Sequence, residues 1–276
     1  MSNSKAPKTL YHYCPAQSFM AIAESGVLRM SHSSGMNDSH ELRHVELIIE
    51  HLLKEKPEWI ASEYIKNVLE IFQGHGRDLY MVSFSEEPDS LSQWRGYADD
   101  GSGYNIGFNI ECLPIQGILQ PNLGSLIEKC LFKIDYNQGK ISKQIFNLFE
   151  EHKSVPNEEL IFSSILVSSI LTQWAFQHKN AAFKEEREWR AVYWPRSLGS
   201  QLSTPTVIDP MTAGYRNSKY GLIPFYDYTF RTSTKTSISH VLLGPRNPSE
   251  PAFVKAYLKK TGYGDVEVQR SEASYR

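Results

Sequence analysis

Cysteine is scarce and scattered in this chain: Cys14, Cys112 and Cys130 are the only three, with no Cys-x-x-Cys among them. An odd, widely spaced set excludes a disulfide scaffold and a zinc ribbon, and fits a reducing compartment. Long apolar runs are also lacking. The greasiest window, Leu160 to Leu171, carries four serines and falls short of the roughly 20 residues a bilayer span needs, so no membrane partner is expected. The opening Met1-Ser-Asn-Ser-Lys-Ala-Pro-Lys has no apolar core of a secretory signal, which leads to the expectation of a cytoplasmic protein. Nor is there an excess of positive charge. With 29 Lys and Arg against 31 Asp and Glu, the net charge is −2. Nucleic acid could then bind only through a local patch, without support from the overall charge. No internal repeat, nucleophile elbow, Walker loop or kinase signature occurs. Gly101-Ser-Gly103-Tyr-Asn-Ile-Gly107 approaches a dinucleotide fingerprint, but its third glycine is one place late and a strand follows where a helix should. A hairpin turn explains those glycines.

What is present is ordinary globular material. The 276 residues are 41% hydrophobic and 22% charged, ample for a core. Residues 1–8 read as a disordered lead-in and residues 9–276 as one domain. Strands are expected at 9–13, 27–30, 78–85, 104–110, 129–136, 189–194, 222–228, 237–243 and 266–269, from β-branched and aromatic runs. Helices are expected at 16–25, 41–56, 57–73, 88–99, 139–153, 157–179 and 250–261, from apolar spacing near 3.6 and from Gly26 and Pro57 as stop and start. Residues 116–125 and the Ser/Thr/Pro-rich 196–217 read as loop. Strands and helices intermingle without regular β-α alternation, so the fold class is α+β, a single domain carrying a helical insertion.

The stretch Phe183-Lys-Glu-Glu-Arg-Glu-Trp-Arg-Ala-Val-Tyr-Trp194 concentrates the chemistry. Glu186 and Glu188 stand two apart, which in extended backbone puts both on one face. Neighbouring acids repel, so such a pair is solvated, paired with arginine, or in use. Arg187 and Arg190 are available partners, and the ion-paired reading stays open beside the functional one. Ser83 and Ser85 share a face at a strand end, where their hydroxyls could bond a ribose or simply satisfy the strand. His12, between Tyr11 and Tyr13, is by residue type most often a satisfied core histidine. Trp94 and Tyr97 are three apart on one helical face, as core or as a stacking wall. His40-Glu41-Leu-Arg-His44 satisfies H-E-x-x-H, but it opens at a helix cap, places Arg43 between the ligands and has no third ligand in reach, so no zinc is expected.

Several blocks together resemble the bacterial family known as domain of unknown function 2971, scattered among phage-defence genes. They are Leu10-Tyr-His-Tyr13, Met36-Asn-Asp-Ser-His-Glu41, Ser83-Phe-Ser-Glu86, Gln93 to Asp99, Gly103, Gly107-Phe108, Lys184 to Arg190, Val241 to Pro245 and Ser271 to Arg276. Ser39 stands where that family tends to have proline. A histidine in the first strand, a Ser-x-Ser closing a middle strand and a Glu-x-Glu opening a later one also resemble the ADP-ribosyltransferase arrangement. That resemblance implies two small sheets in a split β-sandwich with flanking helices, and NAD⁺ as substrate. It implies His12 and Tyr13 on the nucleotide, Ser83 or Ser85 at the nicotinamide pocket, and Trp94 or Tyr97 stacking on the ring. Glu188 would stabilise the developing cation and Glu186 would act on the acceptor. The implied function is an NAD-dependent ADP-ribosyltransferase or NAD-cleaving enzyme of a defence or toxin-type system, with a nucleotide ligand and a macromolecular acceptor. Two alternatives remain: a non-catalytic regulatory protein built on an ion network, and a nuclease gathering Asp38, Glu41 and Glu188 around Mg²⁺.

Overall fold

A computed structural model describes residues 7–33, 40–75, 79–113, 129–152, 156, 158–193, 213–218, 221–231, 237–264 and 266–275. The chain runs β1 (Thr9–Cys14), α1 (Ala16–Ser25), β2 (Val27–His32), α2 (His40–Glu55), α3 (Pro57–Ala61), α4 (Glu63–His75) and β3 (Tyr80–Ser85). It continues through α5 (Leu91–Tyr97), β4 (Tyr104–Asn109), β5 (Lys129–Lys133), α6 (Gln138–His152), α7 (Leu160–Gln177) and β6 (Glu188–Tyr193). It closes with β7 (Ala213–Ser218), β8 (Gly221–Thr229), β9 (Ile238–Leu243), α8 (Pro251–Lys260) and β10 (Glu267–Arg270). The class is α+β. Most of the lead-in and all of the 116–125 stretch lie outside the described residues.

Two elements depart from the sequence reading. The helix expected over 57–73 is two helices. Ser62 turns extended (ψ 120°) after α3, and its hydroxyl accepts from the Ile65 amide at 3.4 Å, so it restarts the chain as an N-cap. The break turns Trp59 into the helical core against Phe146 and Phe149. Residues 213–218, expected as loop, form β7. Its Ala-Gly-Tyr-Arg-Asn-Ser sequence has little strand propensity, and antiparallel pairing with β8 imposes the conformation.

In place of two separate small sheets there is one open sheet, antiparallel except for the β9–β10 pair. It branches at β3. One edge of β3 pairs with β6 along its whole length, from Tyr80↔Tyr193 to Ser85↔Glu188. The other edge is shared: β1 takes only its end, at Tyr11↔Ser85, and β2 only its start, at Ser31↔Met81 and His32↔Tyr80. Strands β1 and β2 therefore part over the middle of β3, leaving Ser83 solvent-exposed in an otherwise mostly buried strand.

Apolar side chains from β1, β2, β3, β4, β6, β8 and β9, with α1 and α8, fill the main core on one side of this branched sheet. The two helical insertions, α2–α4 and α6–α7, pack on each other in a second core. Alpha-helix α7 is long and apolar enough to cross a membrane by composition, but 61% of it is buried, which is the habit of a core helix. Its end reaches the sheet, where Phe176 joins Met81, Phe132 and Val192 on the face opposite the main core.

Candidate functional site

On that opposite face β6 begins. A short 3-10 turn, Ala181–Glu186, ends at Arg187 in the left-handed region (φ 44°), a conformation costing about 1–2 kcal/mol outside glycine. Salt bridges from the Arg187 guanidinium to Glu86, at 3.0 Å, and to Glu87 hold it there. The sharp turn brings Glu186 and Glu188 around one cation. Lys179 Nζ lies 2.7 Å from Glu186 and 3.2 Å from Glu188, and the lysine is only 6% exposed.

Glu188 is buried and saturated. Arg190 donates to both its oxygens, from Nε at 2.7 Å and Nη2 at 3.0 Å, and Ser83 Oγ donates to Oε1 at 2.7 Å. Arg190 also donates to the Phe176 carbonyl at 3.1 Å, satisfying one of the orphan acceptors at the end of α7. The Glu188 amide donates to the Tyr136 hydroxyl at 3.0 Å. Burial pushes the Glu188 carboxyl upward, but the charges of Arg190 and Lys179 and the hydrogen bonds outweigh it and hold the group down at about 2. Glu186 goes the other way. Burial raises its carboxyl above the usual range despite Lys179 and a hydrogen bond from the Tyr97 hydroxyl at 3.2 Å. Two carboxylates on one cation are thus pushed apart, one firmly ionised and one readier to hold a proton.

His12 leaves β1 on the same side as Leu10 and Cys14 of the main core, with its ring edge-on to Phe84. Its Nδ1 donates to the Ser83 carbonyl at 3.0 Å, where the parting of β1 and β2 leaves that strand edge without a partner strand. Burial lowers its pKa, so the ring is held neutral. His12 and Glu188 thus leave opposite faces of the sheet, and Ser83 lies between them, bonded to one through its carbonyl and to the other through its hydroxyl.

The structure therefore brings together Ser83, Tyr97, Glu186 and Glu188 on one face; His12, expected beside them, lies on the other face and reaches the group only through the Ser83 carbonyl. The rest lie outside this group. Trp94, expected as a stacking wall, is fully buried, with Nε1 donating to Asp89 at 2.6 Å and its ring edge-on to Tyr13. Tyr13, expected on the nucleotide, donates its hydroxyl proton to the Glu87 carbonyl and accepts from the Ser90 amide. Ser85 donates to the Glu186 carbonyl at 2.7 Å and accepts from the Glu87 amide. Each of these three is consumed in fixing the turn after β3. Asp38 lies outside the described residues, as do the side chains of His40 and Glu41. Among the described residues no group of three possible metal ligands gathers. A half-open hollow of about 350 Å³ lies elsewhere, lined by Lys8, Thr9, Asn109, Glu111 and Ser239.

Sequence reasoning missed Lys179 and Tyr136. Lys179 follows a long apolar helix directly, and a lysine in that position reads as a solvated helix end. Only the pairing of β6 with β3 and β5 reveals that the helix end is buried.

The fold and site define an α+β protein with a desolvated Glu-Lys-Glu-Arg cluster beside a branch in its sheet. Residues 93–191 match the model of the family described as Protein of unknown function (DUF2971), which supports that family for this chain. The matched stretch holds Tyr97, Lys179, Glu186, Glu188 and Arg190, and excludes His12 and Ser83. No curated protein and no solved structure matches the chain.

Proposed function

We propose that this chain is an NAD⁺-dependent ADP-ribosyltransferase or NAD⁺-cleaving enzyme, with an ADP-ribosyltransferase-like arrangement carried on a single branched sheet, acting in a bacterial defence or toxin-type setting. The observation that carries the reading is the pair of neighbouring carboxylates held on one buried lysine, with the Ser83 hydroxyl on Glu188. Breaking the bond from ribose to nicotinamide develops positive charge on the sugar. A carboxylate kept ionised in a desolvated site is suited to stabilise it. Glu188 fills that role, and Ser83, exposed where β1 and β2 part, marks where the sugar reaches it. Glu186, with its raised pKa, takes the proton of the acceptor. His12, on the other face, acts as a positioning residue by donating through Nδ1 to the Ser83 carbonyl, and Tyr97 offers its exposed ring to the nicotinamide.

One observation favours a second reading. Arg190 takes both oxygens of Glu188, as in a structural ion pair, and a non-catalytic regulatory protein would need nothing more. Incubation with labelled NAD⁺, with and without cell extract, separates the two. Nicotinamide release that is lost in Glu188→Gln and reduced in Ser83→Ala, with both variants folded by circular dichroism, supports the enzyme. No release above blank in either condition leaves the regulatory reading.

A further inference from the structure

A second cluster lies on the β2–β8–β7 arm, away from the Glu188 network. Ser31 of β2 pairs with Phe225 of β8, which pairs in turn with Gly214 of β7. The glycine matters here, because a Cβ at 214 would stand 2.6 Å from the Phe225 ring. Two arginines lean onto this row from either side. Arg29, next on the same face of β2, places its guanidinium 4.4 Å over the Phe225 ring. Arg216, next on the same face of β7, donates from Nε to the Ser31 hydroxyl at 3.1 Å.

The charges do not balance. Among the described residues Asp227 is the one acid paired with the cluster, 3.6 Å from Arg29 and beyond hydrogen-bond reach. Arg216 is half-buried, and among the described residues Ser31 is its single hydrogen-bond partner. Burial and the neighbouring Arg29 both work against its charge. A guanidinium presents five donors in a fixed fork, and here most of that fork is unused beside a second cation.

We propose that Arg29 and Arg216, over the Ser31–Phe225–Gly214 row, form a binding site for a phosphate-class oxyanion. Asp227 offsets part of the Arg29 charge, so the fork of Arg216 supplies two parallel N–H···O bonds and Arg29 the second cation, which a phosphate's extra charge and third oxygen can use and a carboxylate cannot. The site stands without the dinucleotide reading, since it uses none of the residues around Glu188.

The test is thermal unfolding and calorimetric titration of the full chain with sodium phosphate, against sodium acetate and sodium chloride at matched ionic strength. Phosphate should raise the midpoint saturably, and acetate should do so less. Arg216→Ala should weaken phosphate binding about tenfold or more, the scale of a charge-assisted hydrogen bond, and Arg216→Lys, which keeps charge but loses the fork, should fall between. Without phosphate, Arg216→Ala loses the Ser31 hydrogen bond but also a like-charge contact, so its midpoint should stay close to that of the wild type, and circular dichroism of the variant separates a loss of binding from misfolding. The proposal is overturned if phosphate does no more than chloride, if acetate binds tighter than phosphate, or if Arg216→Ala binds phosphate as the wild type does.

Discussion

Ser83 and Glu188, 105 residues apart in the chain, meet across β3 and β6 with the serine hydroxyl donating to the carboxylate at 2.7 Å. That contact ties the exposed middle of a branched sheet to a buried cluster of charge. It exists because β3 and β6 pair with Ser83 opposite Arg190, which sets Ser83 and Glu188 diagonally on one face. The same geometry serves structure and chemistry, and the two roles can be measured separately.

The structural share should be large. Removing one member of a buried ion pair leaves the other uncompensated, at a cost of about 3–5 kcal/mol. Glu188→Ala strands Arg190 and half of the Lys179 interaction, so urea unfolding should show a loss of about that size. The double variant Glu188→Leu with Arg190→Met removes both charges from the cluster and should lose clearly less than the sum of the single changes. Additive losses would mean the pair is not coupled.

Stability should fall in two steps as the pH is lowered. His12, His178 and His240 all have pKa values lowered by burial. Their depressed values mean that stability present above about pH 6.5, the ordinary histidine pKa, is lost as the pH drops through their folded values. Glu188, near 2 in place of 4.5, contributes stability that is complete above about pH 4.5 and is lost toward pH 2. Glu86 and Asp135, also lowered, act in the same direction. Glu186 is raised and has the opposite sign, so protonating it opposes the loss in part. Denaturant unfolding at several pH values should show the Glu188→Gln variant flatter than wild type below pH 4.5. An unchanged slope there would remove Glu188 from the account.

Much of this was legible in the chain, and the gaps have physical causes. Arg190 could be named as a partner of Glu188 because period-two alternation puts residues 188 and 190 on one face of a strand. The same rule places His12 opposite Tyr11 and Tyr13, but it gives no sign that His12 would bond the carbonyl of Ser83. That bond depends on β1 and β2 parting over β3, a fact of long-range pairing with no local signature. Trp94 could be read as a stacking wall because aromatic spacing looks alike in a groove and in a core. Its place was decided by Asp89, whose carboxylate gathers the Trp94 ring nitrogen, the Ser271 hydroxyl and the Glu272 and Ala273 amides. The β7 strand was invisible because pairing with β8, more than its own residues, makes it extended.

His12 should matter to the fold whatever its role toward a ligand. Its Nδ1 proton satisfies the Ser83 carbonyl at the branch. His12→Phe keeps the ring contact with Phe84 and removes the donor, leaving a backbone acceptor to water or to nothing. The expected loss is about 1–3 kcal/mol, and the step in stability near pH 6.5 should shrink with it. A variant as stable as wild type at pH 7.5 would show that water replaces the imidazole freely.

Two glycines seven residues apart should respond to alanine with opposite signs. Gly103 accepts at its carbonyl from the Gly244 amide and from Asn247 Nδ2, while its own amide bonds Ala98 at 2.8 Å. A Cβ there would lie 2.3 Å from the Cys14 carbonyl oxygen and 3.0 Å from the Ala98 backbone. Both obstacles are main chain, so no side chain can swing away. Relief would require moving the start of β4 off β1, and Gly103→Ala should cost about 3 kcal/mol or more, at the upper end for overpacking. Gly96 is exposed within α5, and a Cβ there meets nothing within 4 Å. Alanine at that position limits the unfolded chain and favours the helix, so Gly96→Ala should gain about 0.5–1 kcal/mol. Paired urea titrations of the two variants read both signs in one experiment. If Gly103→Ala unfolds at the wild-type midpoint, the close approach of β1 and β4 at Cys14 is not as tight as the distances place it.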